Sequence, residues 1–406
     1  MKRFIPLVFL LTGFSAAAQS QIDVLHYEFN IWLGDKNDTI QGDARITIRL
    51  SEPTDGFNLD LTSVNSSGKG MKVQSLQGEG VKAYTHRDNK IRIQLDRSMP
   101  EGDTVYLTVR YGGIPADGLI ISKSKYGRRT FFSDNWPNRA HHWLPCKDEP
   151  GDKAQVDFHV TAPAHYTVIS NGVLAEEIAM FGQLKHTHWK ETVPIATKVM
   201  VIGVAEFAIQ YTGTVLGCVP VSSWVFPESS TDGFYDYEPA RDILTWLDEY
   251  IGPYPYKKLA NIQSKTTFGG MENASAIFYF EGSVTGKRQI ESLLCHEIVH
   301  QFFGNHATEK TFAHLWLSEG FATYLTHVFL ESKYGTDSLN SRMRNERKEV
   351  LDFVTRSRRP VVDNTPDFMS LLNANSYQKG GWVLHMLRRE LGDSIFHKSI
   401  RDYYSA

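Results

Sequence analysis

The sequence predicts a multidomain α+β chain, with a β-sandwich-like N-terminal domain over residues 22–211 and a mainly helical domain over residues 212–406. Three observations carry this. At 406 residues the chain is longer than one ordinary domain. Apolar residues recur at period two through its first half. After Pro227 they recur at helical spacing.

The strands follow in order. Ala44, Ile46, Ile48 and Leu50 alternate with Arg45, Thr47 and Arg49. Ile91, Ile93 and Leu95 alternate with Arg92 and Gln94, and Val105, Leu107 and Val109 with Tyr106, Thr108 and Arg110. Val156, Phe158 and Val160 repeat the pattern. Alternation of this kind marks strands with one face buried, and turn clusters such as Glu101-Gly102-Asp103 and Ser170-Asn171-Gly172 separate them. The strand-like run from Val199 to Val204 closes this region. In the second half, residues 234–251 place Ala240, Ile243, Leu244, Leu247 and Ile251 on one helical face, and Pro253 and Pro255 stop that helix. Residues 259–282 read as strand and sheet edge. Residues 384–404 read as one or two further helices.

The chemistry concentrates in His296-Glu297-Ile298-Val299-His300. Histidines four apart lie on one face of a helix, one turn from each other, and can grip one metal ion. Glu297 sits about 100° round the helix from His296, where it can reach a water without ligating the metal. Residues 301–318 intervene before Glu319, which reads as a third ligand on a second helix. Two histidines and one glutamate leave a fourth position open, the catalytic pattern of zinc ligation. The surroundings favour helices: Ile290, Leu293, Leu294 and Ile298 form an apolar stripe, Gly304 falls where the first helix would end, and Trp316 to Tyr324 is helix-like. The bland alternative, two core or surface histidines, leaves Glu319 without a partner among apolar neighbours.

These residues resemble the aminopeptidase N family of zinc metallopeptidases, the gluzincins, which include the leukotriene hydrolase aminopeptidases. Gly269-Gly270-Met271-Glu272-Asn273 resembles the family's GxMEN motif, Ser376 to Gly381 the segment with its catalytic tyrosine, and Leu144 to Pro150 its N-domain signature. The similarity runs from about Val24 to the end. It implies a thermolysin-like catalytic domain, one zinc per chain, and peptide substrates with a free N-terminus. It implies that Tyr377 donates to the oxyanion and that Glu272 binds the substrate α-ammonium, with Gly269 to Asn273 as a strand edge along which substrate lies. Two departures stand out. Relatives carry a Glu or Gln nine residues before the proline of their Pro-Cys signature, where this chain has Trp136. Asp134 is either its substitute in the amine clamp or a turn cap, and Trp136 is a candidate wall of the first side-chain pocket. Many relatives also have an aspartate five residues before the third ligand, where this chain has His314. Relatives usually continue into a helical C-terminal domain, so the resemblance implies a catalytic domain incomplete at the C-terminus, either a fragment or a natural short form.

Composition bounds the rest. Residues 1–18 read as an export leader: Lys2 and Arg3, a short apolar stretch from Phe4 to Phe14, then Ala16-Ala17-Ala18 before cleavage. An exported, bacterial periplasmic or secreted protein is expected, without stable membrane insertion afterwards. The net charge of −3 becomes −5 when Lys2 and Arg3 leave with the leader. No basic stripe points to nucleic acid; Arg356, Arg358 and Arg359 read as a solvated loop. Three cysteines do not make a disulfide framework. Three readings follow: a zinc aminopeptidase, an endopeptidase or other hydrolase on the same scaffold, and a non-catalytic binding or scaffold protein.

Overall fold

A computed structural model describes residues 21–406; the expected leader lies outside them. The seven-stranded sheet runs Val173–Met180, Leu184–Ala196, Lys153–Pro163, Ile22–Trp32, Ile40–Leu50, Thr104–Ile114, Gly70–Gly78. A three-stranded sheet (Thr54–Asp60, Lys90–Met99, Val81–Arg87) and a four-stranded sheet (Thr167–Ser170, Ile202–Ala205, Arg129–Ser133, Leu119–Lys123) complete the β-rich half. The alternating residues behave as their spacing demands. Ala44, Ile46, Ile48 and Leu50 are buried, as are Ile91, Ile93, Leu95, Val105, Leu107 and Val109. Tyr27, Phe29 and Phe158 stack within this core at 5.1 and 5.4 Å. Ile22–Trp32 pairs in parallel with Lys153–Pro163, a long-range contact that no local pattern announces.

A five-stranded sheet follows, in the order Ala208–Val215, Val219–Val225, Leu259–Ser264, Ala276–Phe280, Gly270–Met271. The division expected at 211/212 falls inside its first strand. Among the described residues seven α-helices accompany it: α1 (Ser230–Tyr237), α2 (Ala240–Ile251), α3 (Glu291–His300), α4 (Trp316–Tyr334), α5 (Thr336–Arg356), α6 (Gly380–Leu391) and α7 (Asp393–Ser405). The helix expected over residues 234–251 is therefore two, broken at Pro239. Proline has no N–H to donate, so the hydrogen-bond ladder is interrupted there, although Glu238 and Pro239 both keep helical dihedral angles. The predicted apolar face of α2 is buried in full. No apolar periodicity in the sequence announces α5. Only Leu339, Met343 and Glu346 of its 21 residues are buried, so its apolar stripe is too narrow to read. No helix among the described residues is long and apolar enough to cross a membrane.

Candidate active site

Helices α3 and α4 bring the expected ligands to one point. His296 Nε2 and His300 Nε2 lie 3.1 Å apart, and each lies 3.2 Å from Glu319 Oε2. Donors about 2.0–2.2 Å from a tetrahedral metal lie roughly 3.4 Å from one another, so this triangle matches a zinc ion's grip. The chemistry of the donors agrees. Two imidazole lone pairs and a carboxylate oxygen facing one another repel unless a cation or a proton lies between them. His300 is also oriented from behind: its Nδ1 lies 3.1 Å from the Phe303 carbonyl and 3.1 Å from Ser318 Oγ. A proton donated there to the carbonyl leaves the Nε2 lone pair free for a metal.

These groups line a cavity of about 550 Å³ together with Glu272, Glu297, Tyr377 and Trp136. Its lining holds three carboxylates and neither Lys nor Arg. Glu272, Glu297 and Glu319 are each 5–6% exposed, so the cavity's field favours cations. Burial pushes Glu297 well above the usual carboxylate range, against the pull of His300 and with the charge of Glu272 behind it. Burial, then the charge of Glu319, pushes the Tyr377 phenol up, so it keeps its proton and remains a donor. The Tyr377 ring stacks on His296 at 6.1 Å. It projects from a π-helical turn, Asn375–Lys379, a widening of the helix that recurs at functional sites.

Gly270–Met271 is the edge strand of the five-stranded sheet, beside α3. Gly270 is required by packing: a Cβ there would lie 2.3 Å from Glu297 Oε1. Gly269, Gly270, Met271 and Glu272 line the cavity. Asn273 does not; it is fully buried, and its N–H donates to the Met271 carbonyl at 2.9 Å.

Trp136 walls the cavity edge-on to Phe268, with ring centroids 5.7 Å apart. Asp134 is elsewhere. Its fully buried carboxylate pairs with Arg139 at 2.7 Å and accepts from the Thr267 N–H and hydroxyl at 3.3 and 3.2 Å. It braces the loop leading into Gly269 and does not line the cavity. His314 is exposed and does not line the cavity. Cys146 and Cys295 are buried, Cys218 is exposed, and all three are free.

Comparison with known proteins gives the lineage. The Peptidase M1 N-terminal domain matches residues 24–199 and the Peptidase family M1 domain residues 235–406. The chain belongs to peptidase family M1. Among M1 relatives, Aminopeptidase M1-B of Oryza sativa subsp. japonica is 26% identical over 89% of this chain and 43% of its own length. Probable aminopeptidase 2 of Sulfurisphaera tokodaii is 26% identical over 94% and 49%, and human glutamyl aminopeptidase 25% over 94% and 43%. The chain thus spans about half the length of these curated relatives. A crystal structure of an M1 zinc metallopeptidase from Deinococcus radiodurans shares the fold, with TM-score 0.80 and 24% identity over 95% of this chain and 87% of that one.

The M1 site also contains residues that motif reading missed. The Gln301 amide donates to the Glu272 carbonyl at 2.8 Å and accepts the Ser275 N–H at 2.8 Å. Asn305 donates to the same Glu272 carbonyl at 2.6 Å. The strand edge is thus tied to the end of α3. Gln289 and Leu372 line the cavity from segments without motifs, and Ser292 lines it from the first turn of α3. Adjacency of Gln301 to His300 was the one available signal.

Proposed function

We propose that this chain is a zinc-dependent aminopeptidase that hydrolyses the N-terminal peptide bond of peptides. One observation carries the reading: the ligand triangle, a buried carboxylate outside it (Glu297), the Tyr377 hydroxyl and Glu272 meet in one cavity whose lining has no basic side chain of Lys or Arg. When bound by His296, His300 and Glu319, zinc supplies Lewis acidity toward water and toward the scissile carbonyl.

The chain's own groups supply the rest. Glu297 takes the proton of the attacking water and later delivers it to the leaving amine. Tyr377, kept protonated, donates to the oxygen that gains charge. Glu272 pairs with the substrate α-ammonium, and Gln301 and Asn305 hold its backbone in place. An ammonium entering a cavity of this kind must be paired or lose its hydration without return. Pairing it beside the metal favours cleavage after one residue, and so supports exopeptidase over endopeptidase action. The leader pattern of residues 1–18 supports export as the setting.

The test is turnover of a free-amine peptide series against the same peptides acetylated, with bound zinc measured. We expect acetylation to abolish most turnover. His300→Ala loses most of the metal, and Glu297→Gln keeps the metal and loses activity. Glu272→Ala weakens free-amine substrates by about 1.5–3 kcal/mol, the range for a hydrogen bond to a charged group. Equal cleavage of acetylated and free peptides, or an active Glu297→Gln enzyme, overturns the reading.

A further inference from the structure

The outer face of the seven-stranded sheet carries a cluster of histidines around a carboxylate, side chains of metal-ligating type. Pairing register assembles it. Successive residues of a strand point to opposite faces. With Tyr27, Phe29 and Ile31 turned into the core, His26, Glu28 and Asn30 point outward. On Lys153–Pro163 the outward residues include Asp157 and His159, and on Leu184–Ala196 they include His186, His188 and Lys190. Register places Asn30, His159 and His188 in one row across the sheet, and Glu28, Asp157 and Lys190 in the next.

Asp157 stands at the centre with its side chain 7% exposed. His26 Nε2 lies 2.7 Å from one of its carboxylate oxygens and His188 Nε2 2.5 Å from the other. The His159 ring lies against that of His188, centroids 3.9 Å apart, and its Nδ1 lies 3.2 Å from His186 Nε2. Imidazoles stacked this closely repel one another when protonated.

We propose that Asp157, His159 and His188 form a second metal site, for a divalent transition cation of the zinc, nickel and copper class. Their donor atoms lie within 4.8 Å of one another, and His296, His300 and Glu319 make the one other such group among the described residues. The two imidazoles are partly exposed, so ring rotation can close them on an ion. Imidazole nitrogen with a carboxylate selects this class over magnesium and calcium, which prefer oxygen donors throughout. Lys190, 3.8 Å from Asp157, opposes a cation, but its side chain is 48% exposed and can swing into solvent. The bound ion would tie together the strands Lys153–Pro163 and Leu184–Ala196, remote in sequence from α3 and α4.

The test uses the full chain loaded with one equivalent of zinc and then titrated with Cu²⁺ by calorimetry. We expect a second equivalent to bind. His188→Asn and Asp157→Asn should each weaken that event at least about tenfold while the first zinc stays. His300→Ala should lose the first metal and keep the second. Where a variant fails to fold, histidine NMR signals of the zinc-loaded wild type replace it: Cu²⁺ should broaden His159, His186 and His188. Absence of a second equivalent, a second equivalent indifferent to both substitutions, or broadening confined to His296 and His300 overturns the proposal.

Discussion

Gly320 and Gly380 meet backbone to backbone. A methyl group built on Gly320 would lie 2.8 Å from the Gly380 carbonyl carbon, and one built on Gly380 would lie 2.9 Å from the Gly320 Cα. Glu319 immediately precedes the first glycine, and Tyr377 lies three residues before the second. The contact of α4 with α6 therefore sets how closely the phenol approaches the third ligand. Gly320→Ala should force the helices apart, with overpacking costing about 1–3 kcal/mol of stability. The displaced Tyr377 should lower kcat by about tenfold to a hundredfold while zinc content holds. Thermal denaturation, metal analysis and steady-state kinetics on one preparation check this; an unchanged kcat in a destabilised variant would separate the crossing from catalysis.

Trp136 presents its indole to the cavity, edge-on to Phe268. Trp136→Ala should selectively harm substrates with aromatic or large apolar first residues. Loss of apolar packing in a pocket is worth about 1–3 kcal/mol, or 10–200-fold in kcat/KM. Substrates beginning with alanine should change little. A uniform loss across the series would show that Trp136 supports the wall without reading the side chain.

Asp134 holds Arg139 and the 266–267 loop, so its substitution acts on structure. Asp134→Ala should cost about 3–5 kcal/mol, the usual penalty for removing one partner of a buried ion pair. The ratio of turnover between free and acetylated peptides should survive in the folded fraction. A collapsed ratio at unchanged melting temperature would instead place Asp134 in the amine clamp.

Asp157 makes stability depend on acid. Burial raises its pKa, but hydrogen bonds from His26 and His188 overcome this and bring it down to about 2. Its folded pKa is therefore below the value of about 3.9 in an unfolded chain. The stabilisation is present above that value and is lost as pH falls through the folded pKa. After allowance for solvent screening it amounts to about 1 kcal/mol. With chelator present, Asp157→Asn should be less stable than wild type near pH 6, with the gap closing toward pH 2. Denaturant titrations at several pH values check the sign.

The amphipathic run from Ala240 to Ile251, the alternation from Ala44 to Leu50, and the grouping of His296, Glu297 and His300 were all legible in the sequence. Helix and strand periods are local, so spacing alone says which side chains share a face. Motif resemblance pointed to Glu272 and Tyr377, which geometry then brings into the same cavity as the ligands. Tertiary structure decided the rest. The hold of Asp134 on Thr267, the hold of Gln301 and Asn305 on Glu272, the meeting of Gly320 with Gly380, and the row of His159 beside His188 all join residues far apart in sequence or on separate elements. Such contacts depend on strand register and on how helices cross, and a one-residue shift in register would turn every one of those histidines to the opposite face. Local spacing carries no record of that choice; burial of the core makes it.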